Sequence, residues 1–225
     1  MKFPKLLLVI GILVLSALGL GAQTKKLSEK EFNRQVVDGA ISATAKKVHR
    51  ISLTVYRPGT ETKSYIAYEI VPPDRFRSYE SPLGSQKRSW EYIEFKNDDF
   101  FYIKDEDGVW KTRAHGHDFL PPYPIWRVHT TDPGRKIKAS EVRNDLLNGQ
   151  LVQKYSRKSR TTFTASKGEP IPAPVDSLQE IWVGSDGLFL RVEQTNYHGN
   201  TGEILDKEVL VWDYDPNIKI EAPIK

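Results

Sequence analysis

The feature that most constrains the fold is a succession of short segments after residue 50 in which apolar and polar side chains alternate. In the first of them, Ile51 and Leu53 alternate with Ser52 and Thr54. A period of two is typical of a β-strand with one buried face. Turn-forming pairs separate the segments, among them Pro58–Gly59, Asp107–Gly108, Asn148–Gly149 and Asp186–Gly187. Such short connections predict an antiparallel meander, because parallel neighbours need long crossovers.

A different period precedes the strands. Ser28 and Glu31 have the spacing of a capping box, which marks the start of a helix. Apolar side chains then recur at helical spacing at Phe32, Val36, Val37, Ala40, Ile41 and Val48. The sequence therefore predicts one amphipathic helix that must lie on an apolar surface.

These two patterns together predict the fold class. One helix followed by many antiparallel strands gives an α+β domain dominated by sheet. A sheet of that many strands must curl, split or close. We expect a strongly curved antiparallel sheet with the N-terminal helix packed on its concave side.

The first residues indicate the compartment. A short basic head, an uncharged apolar run over 6–20 and small residues before position 23 are typical of a signal peptide over 1–22. An uncleaved membrane anchor is the alternative, since the run is near the shortest length that spans a bilayer. Residues 23–225 are then expected to form a single domain. The chain has no cysteine, so we expect a periplasmic protein without disulfides and without a lipid anchor on an N-terminal thiol.

The charge pattern disfavours nucleic acid as a partner. There are 33 basic and 29 acidic residues, a net charge of +4. Loss of Lys2 and Lys5 with a signal peptide would leave +2, and the charges are interspersed along the chain. Basic groups at residues 87–88, 135–138 and 157–160 are typical of solvated strand ends, or would meet anionic lipid headgroups.

The sequence offers little for catalysis. It contains no Gly-x-Ser-x-Gly motif and no cysteine nucleophile. His115, His117 and Asp118 form the one stretch that resembles a metal site, but no further histidine or cysteine is placed to complete it. We therefore expect no cofactor, no metal and no enzymatic activity. A metal-dependent hydrolase on these three residues is the alternative.

Four motifs, in order, resemble the LolA-like superfamily of periplasmic lipoprotein carriers and lipid-binding exported lipoproteins. They are VPPDRFRSYE (71–80), YIEFKNDDFFYIKDEDGVW (92–110), EIWVGSDGLFLRVE (180–193) and YDPNIKIEAP (214–223). The resemblance implies an unclosed half-barrel with an apolar cavity for acyl chains between sheet and helix, and no catalysis. In the carriers an arginine precedes the Pro-Asn/Asp pair and latches a lid. Pro72 occupies that position here, so the resemblance does not extend to the latch.

Large rings on the hairpins are the candidate ligand-binding residues. We predict that Tyr68, Trp90, Tyr92, Phe101 and Trp110 wall the cavity, a set that samples both strand faces because alternation does not say which face points inward. The alternative is that they are ordinary core rings. The predicted function is a soluble exported carrier or binding protein for a lipid or an acylated protein. It would contact a membrane surface, or a membrane-bound donor and acceptor, only transiently. The alternative function is an envelope sensor or adaptor that binds a protein partner.

Overall fold

The computed structural model describes residues 23–84, 88–96, 98–104, 107–114, 134–163 and 171–223, and the structural statements below concern these residues. The predicted signal peptide (1–22) and the stretch from His115 to Asp118 lie outside them. Within the described ranges, no helix combines the length and apolar character needed to cross a membrane.

Helix α1 covers residues 29–44. It comprises an α-helical turn at Glu29–Phe32, a π-helical stretch at Asn33–Ala40 and a second α-helical turn at Ile41–Thr44. The predicted capping box is confirmed, since Ser28 and Glu31 each satisfy a backbone N–H of the other. Val48 lies beyond the end of the helix, contrary to the predicted apolar stripe.

Twelve strands form one antiparallel sheet in the described residues. They are β1 (Lys25–Lys26), β2 (His49–Tyr56), β3 (Ser64–Val71), β4 (Arg75–Pro82), β5 (Trp90–Phe95), β6 (Phe100–Lys104), β7 (Trp110–Ala114), β8 (Arg135–Leu147), β9 (Gln150–Thr161), β10 (Val175–Val183), β11 (Phe189–His198) and β12 (Ile204–Asp213). Their spatial order is β1-β8-β9-β10-β11-β12-β2-β3-β4-β5-β6-β7. β1 and β7 are the two edges, so the sheet is open.

The sheet curves around the helix. Phe32, Val36 and Val37 belong to one apolar cluster whose buried members also come from seven neighbouring strands, β9 to β12 and β2 to β4. Seven flat strands would span about 29 Å at ~4.8 Å per strand, whereas a helix is only about 10 Å wide. One continuous cluster across all of them agrees with a sheet that wraps the helix. The predicted class, a curved open antiparallel sheet with the N-terminal helix on its concave side, is confirmed.

Hydrogen bonds fix the C-terminal end of the helix to the sheet. The Thr44 hydroxyl accepts a hydrogen bond from the Phe189 amide at 3.2 Å and lies 3.3 Å from the Tyr214 hydroxyl. That tyrosine donates in turn to the Phe189 carbonyl at 2.7 Å. Thr44 is fully buried, so these bonds satisfy polar groups that water does not reach. They hold the end of α1 against the start of β11 and against the residue that follows β12.

The chain beyond β12 covers part of the opposite, convex face. Ile218 and Ile220 form a second apolar cluster with Ile93 of β5 and Tyr102 of β6. Arg75 donates a hydrogen bond to the Ile220 carbonyl at 3.2 Å. β5 therefore packs apolar side chains on both faces, with this C-terminal segment covering one of them.

Candidate functional site

The strand register places a set of side chains from β3 to β6 on the concave face. Tyr68 is paired with Ile51, which belongs to the cluster around the helix. Ser78 is paired with Tyr68, Tyr92 with Ser78, and Ile103 with Tyr92. Directly paired residues in antiparallel strands point to the same side of a sheet. These four side chains therefore share the face on which the helix lies.

Four rings on this face form a continuous aromatic row, with one ring from each of the strands β3 to β6. The centroids of Tyr68 and Phe76 are 6.2 Å apart, those of Phe76 and Tyr92 are 6.1 Å apart, and those of Tyr92 and Phe101 are 4.9 Å apart. Separations of about 4.5–7 Å are favourable for aromatic pairs. The row joins the core around the helix to the strands near the β7 edge.

Burial divides the row. Phe76 is 1% exposed and belongs to the core, whereas Tyr68, Tyr92 and Phe101 are half-buried. The half-buried part borders a cavity of about 380 Å³, which we call the aromatic groove. It is lined by Tyr68, Phe76, Ser78, Trp90, Tyr92, Glu94 and Ile103. Its volume lies within the roughly 300–1,000 Å³ of small-ligand sites.

A carboxylate sits among these rings. Glu94 is 5% exposed and accepts a hydrogen bond of 2.6 Å from the Tyr92 hydroxyl. Burial, together with this bond, raises the pKa of Tyr92 far above its ordinary value. The Tyr92 hydroxyl therefore stays protonated and keeps donating at physiological pH.

Trp90 is also held by a carboxylate. Its indole N–H donates to Glu80 at 3.1 Å, and Glu80 is the residue paired with Trp90 across β4 and β5. The Ser64 hydroxyl also donates to the Glu80 carboxylate. The orientation of the Trp90 ring at the groove is thus fixed by hydrogen bonding.

The five predicted cavity residues fall on two faces. Tyr68, Trp90 and Tyr92 line the aromatic groove, and Phe101 extends the row beside Tyr92. Trp110 lies on the convex face, where it packs against the cluster of Ile93, Tyr102, Ile218 and Ile220. The strand pairing thus shows which of the predicted side chains face the concave side.

Four residues that line the groove were absent from the prediction: Phe76, Ser78, Glu94 and Ile103. Phe76 shares a face of β4 with Ser78, which is paired with Tyr92. That register places Phe76 in the row. Glu94 carried no sequence signal, since a charged side chain between Ile93 and Phe95 is normally assigned to the solvent side.

A larger cavity lies between α1 and strands β8 to β10. This helix groove has a volume of about 830 Å³. Its lining mixes apolar side chains with polar ones. The apolar ones are Ala40, Leu151, Val152 and Val183, and the polar ones include Arg34, Gln35, Asn144, Gln153 and Ser185. It contains one ring, Tyr155.

The concave face of β9 to β11 carries a buried polar array. Arg157 is 2% exposed and donates to Gln179 at 2.9 Å, while its guanidinium lies 4.6 Å from the centre of the Phe32 ring. Burial, aided by the nearby charge of Arg135, lowers the pKa of Arg157 to about 10. The expectation that residue 157 belongs to a solvated strand end is therefore wrong.

Metal-binding geometry is not found in the described part of the chain, where no three histidine, cysteine, aspartate or glutamate side chains gather as ligands. The predicted candidates His115, His117 and Asp118 lie outside that part.

No family model and no curated protein matches this chain. Among solved structures, it is similar to the lipoprotein LppX from Mycobacterium tuberculosis. The identity is 10%, over 86% of this chain and 99% of that one, with a TM-score of 0.45. It is also similar to a LolA superfamily protein from Nitrosomonas europaea, at 6% identity over 80% of this chain and 90% of that one, with a TM-score of 0.32. Similarity at this level does not identify a function, so function is inferred below from this chain's own residues.

Proposed function

We propose that this protein is a non-catalytic carrier or binding protein for a lipid or an acylated protein, whose acyl chain lies in the aromatic groove. The observation that carries the proposal is the aromatic row. Tyr68, Tyr92 and Phe101 are rings on the concave face that stay half-buried, although a core ring beside them, Phe76, is 1% exposed.

The free energy of moving an acyl chain out of water is compatible with a carrier. Moving about 14 methylenes out of water gains on the order of 11 kcal/mol, at ~0.8 kcal/mol each. A bilayer provides nearly the same gain, so small differences decide whether the ligand is taken up or released. Flat rings bury much area with few rotatable bonds, which makes them suitable walls for an apolar chain.

The proposed setting is outside the cytoplasm. The signal-peptide pattern over 1–22 supports export. A carrier in the periplasm would exchange its ligand with membranes or with membrane-bound donors and acceptors. The aromatic groove is then the part of the protein that shields the acyl chain from water between those contacts.

A matched pair of tryptophans tests the proposal. Trp90 lines the aromatic groove, whereas Trp110 is half-buried on the convex face. We expect Trp90→Ser to reduce the affinity for a neutral pyrene-labelled monoacylglycerol about tenfold or more, since a large part of one wall is lost. We expect Trp110→Ser to leave that affinity within about twofold. Fluorescence titration measures both, and thermal melts show that each variant is folded.

Two results would contradict the proposal. The first is that the wild-type protein binds no monoacylglycerol probe, which would favour the adaptor alternative. The second is that the two serine variants, both folded, lose affinity equally.

A further inference from the structure

One corner of the sheet, where β8 and β10 begin and β9 ends, carries a concentration of basic side chains. We call them the basic corner, and they are Lys136, Lys138, Lys158 and Arg160. Successive side chains of a strand point to opposite faces, so Lys158 and Arg160 point away from the helix that Arg157 contacts. Lys136 is paired directly with Arg160. Lys138 reaches the same place, because its ammonium group is 2.9 Å from Asp176, the residue paired with Arg160 on β10.

One carboxylate lies among these four cations. Asp176 accepts two hydrogen bonds from the Arg160 guanidinium, at 2.8 and 2.5 Å, and one from Lys138 at 2.9 Å. These bonds lower the pKa of Asp176 well below its usual range, so it stays ionised and offsets one positive charge. Lys136 and Lys158 are exposed and have no ion-pair partner among the described residues. Four cations and one carboxylate leave three net positive charges at the corner.

Further acidic side chains nearby are occupied by other partners. Glu180, further along the same face of β10, is paired with Lys154 at 2.7 Å. Glu203, in the turn between β11 and β12, accepts a hydrogen bond from the Thr201 hydroxyl at 3.1 Å. The convex side of the corner therefore stays positive and attracts anions.

Exposed apolar side chains flank the basic corner. Phe163 lies two residues after β9 and is 41% exposed, and Ile171 lies four residues before β10 and is 71% exposed. Since β9 and β10 are antiparallel neighbours, both residues lie at the end of the sheet that carries the corner. Basic groups beside exposed apolar groups favour binding to an anionic bilayer, where cations meet headgroups and apolar side chains enter the interface.

The corner also has room for a headgroup. A cavity of about 360 Å³ opens there, and its lining includes Lys138, Lys158, Leu178 and Tyr197. A lipid phosphate that enters this cavity would lie near both lysine side chains, which favours an anionic headgroup over a neutral one.

We infer that the basic corner is a docking surface for a bilayer that contains anionic lipids. Its four cations contact headgroup phosphates, while Phe163 and Ile171 enter the interface beside them. β5 begins at the same end of the sheet as β8, because the strands between them alternate in direction. Docking there brings the membrane to the end of the sheet at which Trp90 lines the aromatic groove. This surface is separate from that groove, and docking does not depend on what the groove binds.

Vesicle sedimentation without any lipid probe tests the inference. Protein purified after export is titrated with vesicles of phosphatidylcholine alone and with vesicles that also contain phosphatidylglycerol. We expect binding to the mixed vesicles and not to the neutral ones. Binding should weaken as salt is added, because salt screens the attraction between the corner and the headgroups.

A matched pair of double variants separates the corner from net charge. Lys136→Gln with Lys158→Gln should weaken binding to mixed vesicles about 30-fold, since each basic group near an anionic surface contributes about 1 kcal/mol. Lys46→Gln with Lys47→Gln removes the same charge from exposed positions between α1 and β2. It should leave binding within about twofold. All four positions are exposed, and thermal melts check that both variants fold.

The apolar contribution has its own matched control. Phe163→Ser with Ile171→Ser should weaken binding to mixed vesicles about tenfold, because less apolar area enters the interface. Leu146→Ser with Leu151→Ser, at exposed positions paired at the opposite end of β8 and β9, should leave it unchanged.

Three results would overturn the inference. They are equal binding to neutral and mixed vesicles, equal losses in the corner and control lysine variants, and no binding to mixed vesicles. The last of these would favour a protein partner for the basic corner. None of them bears on the carrier proposal, which the monoacylglycerol probe tests separately.

Discussion

Two grooves lie on the concave face, the helix groove and the aromatic groove. The helix groove has the larger volume, whereas the aromatic groove has the more apolar lining. The helix groove is larger, at about 830 Å³ against 380 Å³ for the aromatic groove. Yet its lining includes Arg34, Gln35, Asn144 and Gln153, whose amides and charge would lose water if an acyl chain covered them. In our proposal, the chemistry of the lining, and not the volume, decides which groove takes an apolar ligand.

The same contrast extends along the strands beyond the grooves. In the half formed by β9 to β12, polar side chains on the concave face hydrogen-bond to one another. Arg157 donates to Gln179, and Asn196 accepts from Ser177 and donates to Asp206. In the half formed by β3 to β6, rings occupy the equivalent positions. In each half, neighbouring side chains are of the same kind, polar beside polar or ring beside ring. The two halves can therefore differ although they belong to one continuous sheet.

The largest expected effect is on stability, and it distinguishes the buried ring of the aromatic row from a ring that lines the groove. Phe76→Ala should lower the free energy of unfolding by about 3–5 kcal/mol, because a fully buried ring leaves a cavity. Tyr68→Ala should cost distinctly less, because the Tyr68 ring is already half-buried beside the groove. Urea denaturation measures both. Equal costs would mean that the row is plain core, and the difference between the two halves would lose its functional meaning.

A smaller effect is expected in the polar half. Arg157→Met removes the hydrogen bond to Gln179 but leaves an apolar chain beside Phe32. We expect a loss of about 1–3 kcal/mol in the free energy of unfolding, the cost of a buried polar group that loses its partner. Affinity for the monoacylglycerol probe should not change. Arg143→Met, at an exposed position on β8, should stay within about 0.5 kcal/mol of the wild type. A folded Arg157→Met that no longer binds the probe would place the ligand in the polar half.

The sequence predicted the fold well and the site in part. Alternation and turn residues located the strands, and Asn148–Gly149 forms the predicted hairpin turn with φ values of 52° and 79°. The capping box located the start of α1. These features are local, so a local pattern can report them. β1 was missed because a two-residue strand has no period and is defined only by its pairing with β8.

The candidate site depended on information that alternation does not carry. Trp90 and Trp110 are the same residue type, and each is the first residue of a strand. The strand register alone places them on opposite faces. Arg157 and Glu94 were not foreseen because burial of a charged side chain depends on partners from other strands. Tertiary pairing, and not intrinsic preference, decides both outcomes.

The most direct test of the central claim is to map where an acyl chain lies. A neutral monoacylglycerol with a diazirine near the end of its chain is bound, photolysed and located by mass spectrometry of peptides, with unlabelled lipid as competitor. We expect competable label on residues of the aromatic groove, chiefly Tyr68, Trp90 and Tyr92, and little on the helix groove. Competable label concentrated instead on Gln35, Gln153 and Val183, which line the helix groove, would contradict the account.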